Sequence, residues 1–245
     1  MISTDELDEV KNRRKTNLYY EEKEYLQFIF LNALSKFADK FVFKGGTCLR
    51  ICYNLERASE DLDFSTSLAL IEVKDSIHKC LKDFSLLNIN YKIYSEKEYQ
   101  GNLRIEARFE GPLFKGDPHS SNTLKIDFNK GKVSNKVAKV IPQIFSDVPP
   151  FTLVALDEKE ILTEKIRALI TRAQARDLYD VWILLSKGVE LDKKLLAAKL
   201  KEENGNLKNI KMPSKQTYER DLKELVSFLP GYEQVKEEVM KRLLK

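Results

Sequence analysis

Apolar residues recur at helical spacing over residues 20–37, where Leu26, Ile29, Phe30, Ala33, Leu34 and Phe37 share one face. Ahead of them, Ser3-Thr-Asp-Glu6 has the S-x-x-E form of a capping box and predicts a first helix starting there. The period then changes. Residues 41–44 are short and β-like, Gly45-Gly46 breaks the run, residues 47–55 read as a helix, and 56–60 as a polar loop. Asp61-Leu-Asp-Phe64 alternates as a strand does, and residues 71–84 predict another helix. Further β-like runs follow at 90–94, 103–109, 124–128, 137–145 and 151–154, with a turn or loop over 111–117 and Pro149-Pro150 separating the last two.

Beyond Asp157 the pattern is wholly helical. Asp157-Glu-Lys-Glu160 is an N-cap with glutamate at N3, opening a helix to about residue 172. A second helix, 176–187, is stopped by Gly188, and three more are predicted over 192–203, 214–228 and 232–244. The expected architecture is α+β, with a mixed α/β domain over residues 1–155 and a helical bundle domain over 156–245.

The 245 residues suffice for one large domain or two small ones, and 42% hydrophobic with 33% charged residues is a globular composition rich in solvated helices. No run approaches the roughly 18 apolar residues of a membrane span, and the N-terminus lacks the apolar core of a signal peptide, so a cytoplasmic protein with no membrane partner is expected. Cys48, Cys52 and Cys80 form neither a disulfide framework nor a zinc knuckle; Cys48 and Cys52, four apart, are expected on one apolar helix face. Only His78 and His119 are available to a histidine-centred mechanism. The net charge of +4 is unevenly placed: residues 193–245 hold 13 Lys and Arg against 8 Asp and Glu, whereas residues 1–192 hold 29 against 30. A C-terminal cationic excess suits a polyanion such as RNA, and equally suits ordinary solvated helices.

Two local devices carry chemistry. A strand ending in Gly45-Gly46 and leading into a helix lets the backbone approach a ligand closely and offers unpaired N–H groups at a positive dipole end, which suits a triphosphate. In Asp61-x-Asp63 the two carboxylates, at i and i+2 of a strand, point to one face, which suits either a cation such as Mg²⁺ that relieves their repulsion or a surface strand with two solvated aspartates. Asp127 interrupts the apolar run Leu124-Lys-Ile-Asp-Phe128 and is a candidate third ligand if its strand lies beside theirs. Further on, Lys165 falls inside the apolar arc of Ile161, Leu162, Ile166, Leu169 and Ile170, where its ammonium calls for an anionic partner unless it snorkels at the edge of the face. Asp177 and Asp180, three apart, share a side of the next helix; Asp177 also fits a first-turn acid favoured by the dipole.

Together, Lys44-Gly-Gly-Thr-Cys-Leu49, the R-x-S of Arg57 and Ser59, and Asp61-Leu-Asp-Phe-Ser65 resemble the polymerase-β-like nucleotidyltransferases, and within them the AbiEii/AbiGii toxins of bacterial toxin–antitoxin and phage-defence systems. Glu164-Lys-Ile-Arg-Ala-Leu169 followed by Arg176-Asp-Leu-Tyr-Asp180 resembles the same group, and the motifs span residues 41–185. The resemblance implies a polymerase-β-like domain with a mixed sheet flanked by helices. It implies nucleotide contacts from Lys44, Gly45, Gly46, Thr47, Arg57, Ser59, Lys165 and Arg176, metal at Asp61, Asp63 and Asp127, and a role for Asp177 or Asp180 in completing the site. The implied reaction moves an NMP group from an NTP to an acceptor hydroxyl, with Mg²⁺ or Mn²⁺. The implied acceptor is the 3′ end of tRNA, and the implied partner a cognate antitoxin. Transfer to a protein hydroxyl, or a non-catalytic nucleotide- or RNA-binding module, are the alternatives.

Overall fold

The computed structural model describes residues 1–37, 39–131, 133–202 and 205–243. They form two compact units, one of residues 1–54 and 58–156, the other of residues 55–57 and 157–245.

The first unit opens with helix α1 (Thr4–Arg14). Ser3 caps it by accepting the Glu6 N–H, but the Glu6 carboxylate does not close the predicted box; it accepts from the N–H and hydroxyl of Ser146 instead. Helix α2 (Leu18–Ser35) begins at the Asn17 cap, earlier than its apolar stripe. Its first turns bury Glu21, Glu22, Lys23 and Glu24, charged residues that a periodicity argument assigns to solvent. Burial is tolerated because partners meet them: Arg14 pairs with Glu21 and Glu24, Arg50 with Glu24, and Glu22 accepts from Asn122 Nδ2 and the Leu113 N–H.

Strands β1 (Phe41–Lys44), β2 (Asp61–Thr66), β3 (Tyr91–Tyr99), β4 (Asn102–Phe109), β5 (Asn122–Lys130), β6 (Lys136–Ile141) and β7 (Phe151–Leu156) form one mixed sheet in the order β3-β4-β5-β2-β1-β7-β6. The pairs β2–β5 and β1–β7 are parallel and the rest antiparallel. Helix α3 (Gly45–Tyr53) follows β1 directly, so the two glycines are its first residues rather than a linker before it. Helix α4 (Leu70–Leu86) packs against α2. Cys48 and Cys80 are buried and Cys52 is half-buried; all three are free thiols.

Alternation fixes what each face of the sheet carries. Leu62 and Phe64 of β2 turn inward, and Phe64 stacks between Phe43 of β1 and Phe128 of β5 at centroid distances of 5.2 and 5.0 Å. The residues between them, Asp61 and Asp63, therefore stand on the opposite face.

The second unit contains helices α5 (Glu158–Thr171), α6 (Ala175–Ser186), α7 (Lys193–Glu202), α8 (Lys215–Leu222) and α9 (Tyr232–Leu243). The predicted helix ends at residues 203 and 244 lie outside the described residues. Helix α8 is much shorter than the predicted 214–228. The N–H groups of Leu225 and Val226 both return to the Leu222 carbonyl in a turn, and Pro230 disfavours helical backbone in the residue before it. The Pro230 carbonyl in turn accepts the Tyr218 hydroxyl.

Replacing Phe64 by alanine is expected to destabilise the protein by about 3–5 kcal/mol, read from urea-induced unfolding. A cost below about 1 kcal/mol would show that the phenyl stack does not tie β1, β2 and β5 together.

Candidate active site

In the β1–β2 register Lys44 is opposite Asp63, so the end of β1 delivers the chain to the carboxylate just as the helix begins. Gly45 adopts φ +79°, a left-handed backbone that side chains disfavour. It is also crowded: an ideal Cβ there would overlap the Asp63 carboxylate oxygen and stand 3.0 Å from Asp63 Cγ. Both the conformation and the close approach thus require glycine at 45. Thr47 is fully buried; its hydroxyl donates to the Asp61 carbonyl, and its oxygen lies 2.9 Å from the Ser59 hydroxyl. From α2, Gln27 donates to the carbonyls of Ser59 (3.0 Å) and Glu60 (3.1 Å), so the loop entering β2 is held from two sides.

Asp61 and Asp63 are half-buried on one face of β2. In the parallel β2–β5 pair Asp63 is the register neighbour of Asp127, and Asp61 of Lys125, so the third aspartate shares that face. Asp127 is held by Arg104 of β4, whose guanidinium makes two bonds to it of 2.7 and 3.0 Å. Among the described residues no three acidic, histidine or cysteine groups are already gathered closely enough to hold an ion. The donor set nonetheless fits a hard divalent cation: the carboxylates on this face supply only oxygen, and such ions take one or two of them alongside water and phosphate. Asp127 can join because the Arg104 side chain is 54% exposed, and a pair with an exposed arginine contributes little.

The predicted residues of the second unit form a buried ionic chain. Lys165 Nζ lies 2.9 Å from Asp177 and 2.8 Å from Asp180. Asp180 accepts two bonds from Arg57, of 2.6 and 2.7 Å, and Asp177 accepts two from Arg172, of 2.9 and 3.4 Å. Both aspartates are buried, as is Arg57; Arg176 is half-buried at the start of α6. The anionic partner that the Lys165 position demanded is thus a pair of carboxylates on the next helix. Arg57 was read as a nucleotide contact, and here its Nε and Nη2 donate to Asp180. Arg172 and Arg104 were not singled out in the sequence, because neither stands at a motif position or interrupts an apolar arc.

Burial opposes ionisation of Asp180, but Arg57 and Lys165 outweigh it and hold its pKa below the ordinary 3.8. Burial likewise opposes the Lys165 ammonium, and Asp180 with Asp177 overcomes it, raising its pKa above 10.5. The stability from this network is therefore lost as pH falls through the lowered Asp180 value, and at the other extreme as pH rises through the raised Lys165 value. It is constant across the neutral range.

Two measurements check these local assignments. Gly45→Ala should cost more than the roughly 1–2 kcal/mol of left-handed backbone strain, and less in an Asp63→Ala background, with a coupling of at least about 0.5 kcal/mol; additive effects would show that the carboxylate is not the obstacle. Asp180→Ala, which strands the Arg57 guanidinium, is expected to cost about 3–5 kcal/mol in chemical denaturation, and a cost under about 1 kcal/mol would remove the network from the core of this unit.

Comparison with known proteins places this geometry. The family described as nucleotidyl transferase AbiEii toxin of type IV toxin–antitoxin systems matches residues 29–239, well beyond the motif-bearing stretch at the C-terminal end. The fold is similar to that of MenT4, a nucleotidyltransferase toxin from Mycobacterium tuberculosis, at 19% identity and a TM-score of 0.67, over 97% of this chain and 88% of that one. It is also similar to JHP933 from Helicobacter pylori, at 20% identity and a TM-score of 0.60, over 94% and 92% of the two chains. No curated protein gives a significant match. No helix among the described residues is long and apolar enough to cross a membrane. Members of the matched family draw on an NTP and a divalent metal, and a type IV system implies an antitoxin partner. The chain belongs to the AbiEii family and is a nucleotidyltransferase toxin of a type IV toxin–antitoxin system.

Proposed function

We propose that this toxin transfers a nucleotidyl group from an NTP to the 3′-terminal hydroxyl of a tRNA in the cytoplasm, with Mg²⁺ or Mn²⁺ held by Asp61, Asp63 and Asp127. The observation that carries the reading is the β2–β5 register, which stands Asp127 beside Asp63 on the face that bears Asp61. A metal bound there would neutralise phosphate charge and favour the ionised form of the acceptor hydroxyl.

The chain's own groups do the remaining work. Helix α3 starts at Gly45, and its first N–H groups have no helix carbonyl to bond, which leaves them for phosphate oxygens. Lys44, half-buried beside this turn, adds a cation. Thr47 and Ser59 serve by bracing the loop, since their hydroxyls are bonded to one another and to the strand. The acceptor oxygen attacks the α-phosphorus, the bond from that phosphorus to the pyrophosphate oxygen breaks, and the hydroxyl proton passes to water or a nearby carboxylate.

In the helical unit Lys165 and Arg176 serve as cations for the triphosphate, and Asp177 with Asp180 are the acids that position Lys165. Arg57, expected as a nucleotide contact, donates through Nε and Nη2 to Asp180 and so ties that acid in place. The basic excess over residues 193–245 is assigned to the tRNA, so its binding should weaken steeply with salt.

The test is transfer of label from each of the four α-³²P nucleotides to total bacterial tRNA, with Mg²⁺ or with chelator. Label should appear on tRNA, vanish with chelator, and fall by about two orders of magnitude or more in Asp63→Asn. Label on protein instead of RNA would overturn the acceptor, and transfer that survives both chelator and Asp63→Asn would overturn the metal assignment.

A further inference from the structure

The face that bears the aspartates continues across β5, β4 and β3. There a cavity of about 300 Å³ opens beside Asp61, walled by Tyr19 and Lys23 of α2, Tyr94 of β3, Arg108 of β4 and Lys125 of β5. A second cavity, of about 430 Å³, adjoins it and shares Tyr94 and Arg108 as the dividing wall, with Lys92 and Phe114 on its far side. The two make one cleft running away from the aspartates.

Three features of the cleft point to its occupant. Its cations are free of ion pairs: Arg108, Lys125 and Lys92 make none among the described residues, whereas Arg104, four residues before Arg108 on β4, is closed onto Asp127. Its aromatic rings are presented to solvent, Tyr94 at 63% and Tyr19 at 49% exposure, and the Arg108 guanidinium lies 4.3 Å from the Tyr94 ring centroid. Its acids, Glu60 and Glu106, add carboxylates that can accept from amino or hydroxyl groups. Cations without ion pairs, solvent-exposed rings and scattered acceptors together match single-stranded nucleic acid, which offers phosphates, bases to stack and donors on its edges.

The sheet order decides which nucleic-acid component lies there. The glycine turn follows β1, the aspartates are on β2, and the cleft is carried by β5, β4 and β3, so the aspartates stand between turn and cleft. Attacking and leaving oxygens are roughly in line in phosphoryl transfer, so a donor triphosphate on one side of the carboxylates leaves the other side to the acceptor.

We infer that the cleft is the acceptor-strand subsite, holding the unpaired 3′-terminal nucleotides of the acceptor nucleic acid, with a base on Tyr94 and phosphates at Arg108 and Lys125. This rests on the proposed transfer to a nucleic-acid hydroxyl and adds the path by which that hydroxyl reaches Asp61.

The test measures binding without turnover. A 5′-fluorescein single-stranded oligoribonucleotide of about six nucleotides is titrated into the full-length protein and followed by fluorescence anisotropy. Tyr94→Ala should weaken binding about tenfold and Tyr94→Phe should restore it. Arg108→Gln should lower the salt slope by about one. Lys79→Gln, on the exposed surface of α4, should change nothing. The Kd of an NTP, measured separately, should be the same in all variants. Unchanged oligonucleotide affinity in both Tyr94→Ala and Arg108→Gln would overturn the inference, and so would a change in NTP affinity alone, which would make the cleft the site of the NTP base. Because the titration needs no catalysis, a protein that fails to label tRNA yet shows these binding losses would sink the transfer reading and not the cleft. Normal tRNA labelling with an unchanged Michaelis constant for tRNA in Tyr94→Ala would do the reverse.

Discussion

The Asp63 carboxylate occupies the volume that any side chain at residue 45 would need, and the geometry of the first unit's site follows from that contact. Three demands converge there. The β1–β2 register brings Lys44 opposite Asp63, the backbone must turn through a left-handed residue to start α3, and the new helix must begin within reach of the carboxylate. A glycine meets all three. The phenyl stack on the other face of the same strands then fixes how β1, β2 and β5 lie side by side, so the polar face inherits its spacing from packing it does not touch.

The second unit achieves order by a different route. Its buried carboxylates would be costly alone, and each is met by at least two cations; Lys165 bridges the two aspartates and the arginines terminate the chain of charges. Asp177, Asp180 and Arg57 lie in the interior, whereas Arg172 closes the network at the surface with a side chain 54% exposed. The same device recurs where Lys199 reaches Glu160 and Glu164.

What could be read in the sequence was what local backbone chemistry governs. Gly45-Gly46 announced a turn, Asp61-x-Asp63 announced two carboxylates on one side of a strand, and an N-cap at Asp157 announced α5, because each depends on neighbours a few residues away. Partnerships across the fold were silent. Arg57 looked like part of a loop motif, and nothing near it in the sequence names Asp180. Arg104 alternates outward on an ordinary strand, and its hold on Asp127 appears only when β4 and β5 pair. The charged start of α2 was silent for a related reason: Glu21, Glu22 and Glu24 are internal because Arg14, Arg50 and Asn122 arrive from other elements to meet them. Residues 223–228 misled, since their helical pattern is overruled by a turn and by Pro230.

The Arg57–Asp180 pair also has a consequence in time. Its partners are 123 residues apart in the chain, so at about 5–20 residues per second a ribosome takes roughly 6–25 s to reach Asp180 after it has made Arg57. Throughout that interval the guanidinium has no carboxylate to enter the interior with, and the helical unit cannot close around it. Chains cut short by a damaged message or a stalled ribosome are arrested on the same side of that step. A chain released before residue 180 therefore lacks the carboxylate that the buried Arg57 guanidinium requires.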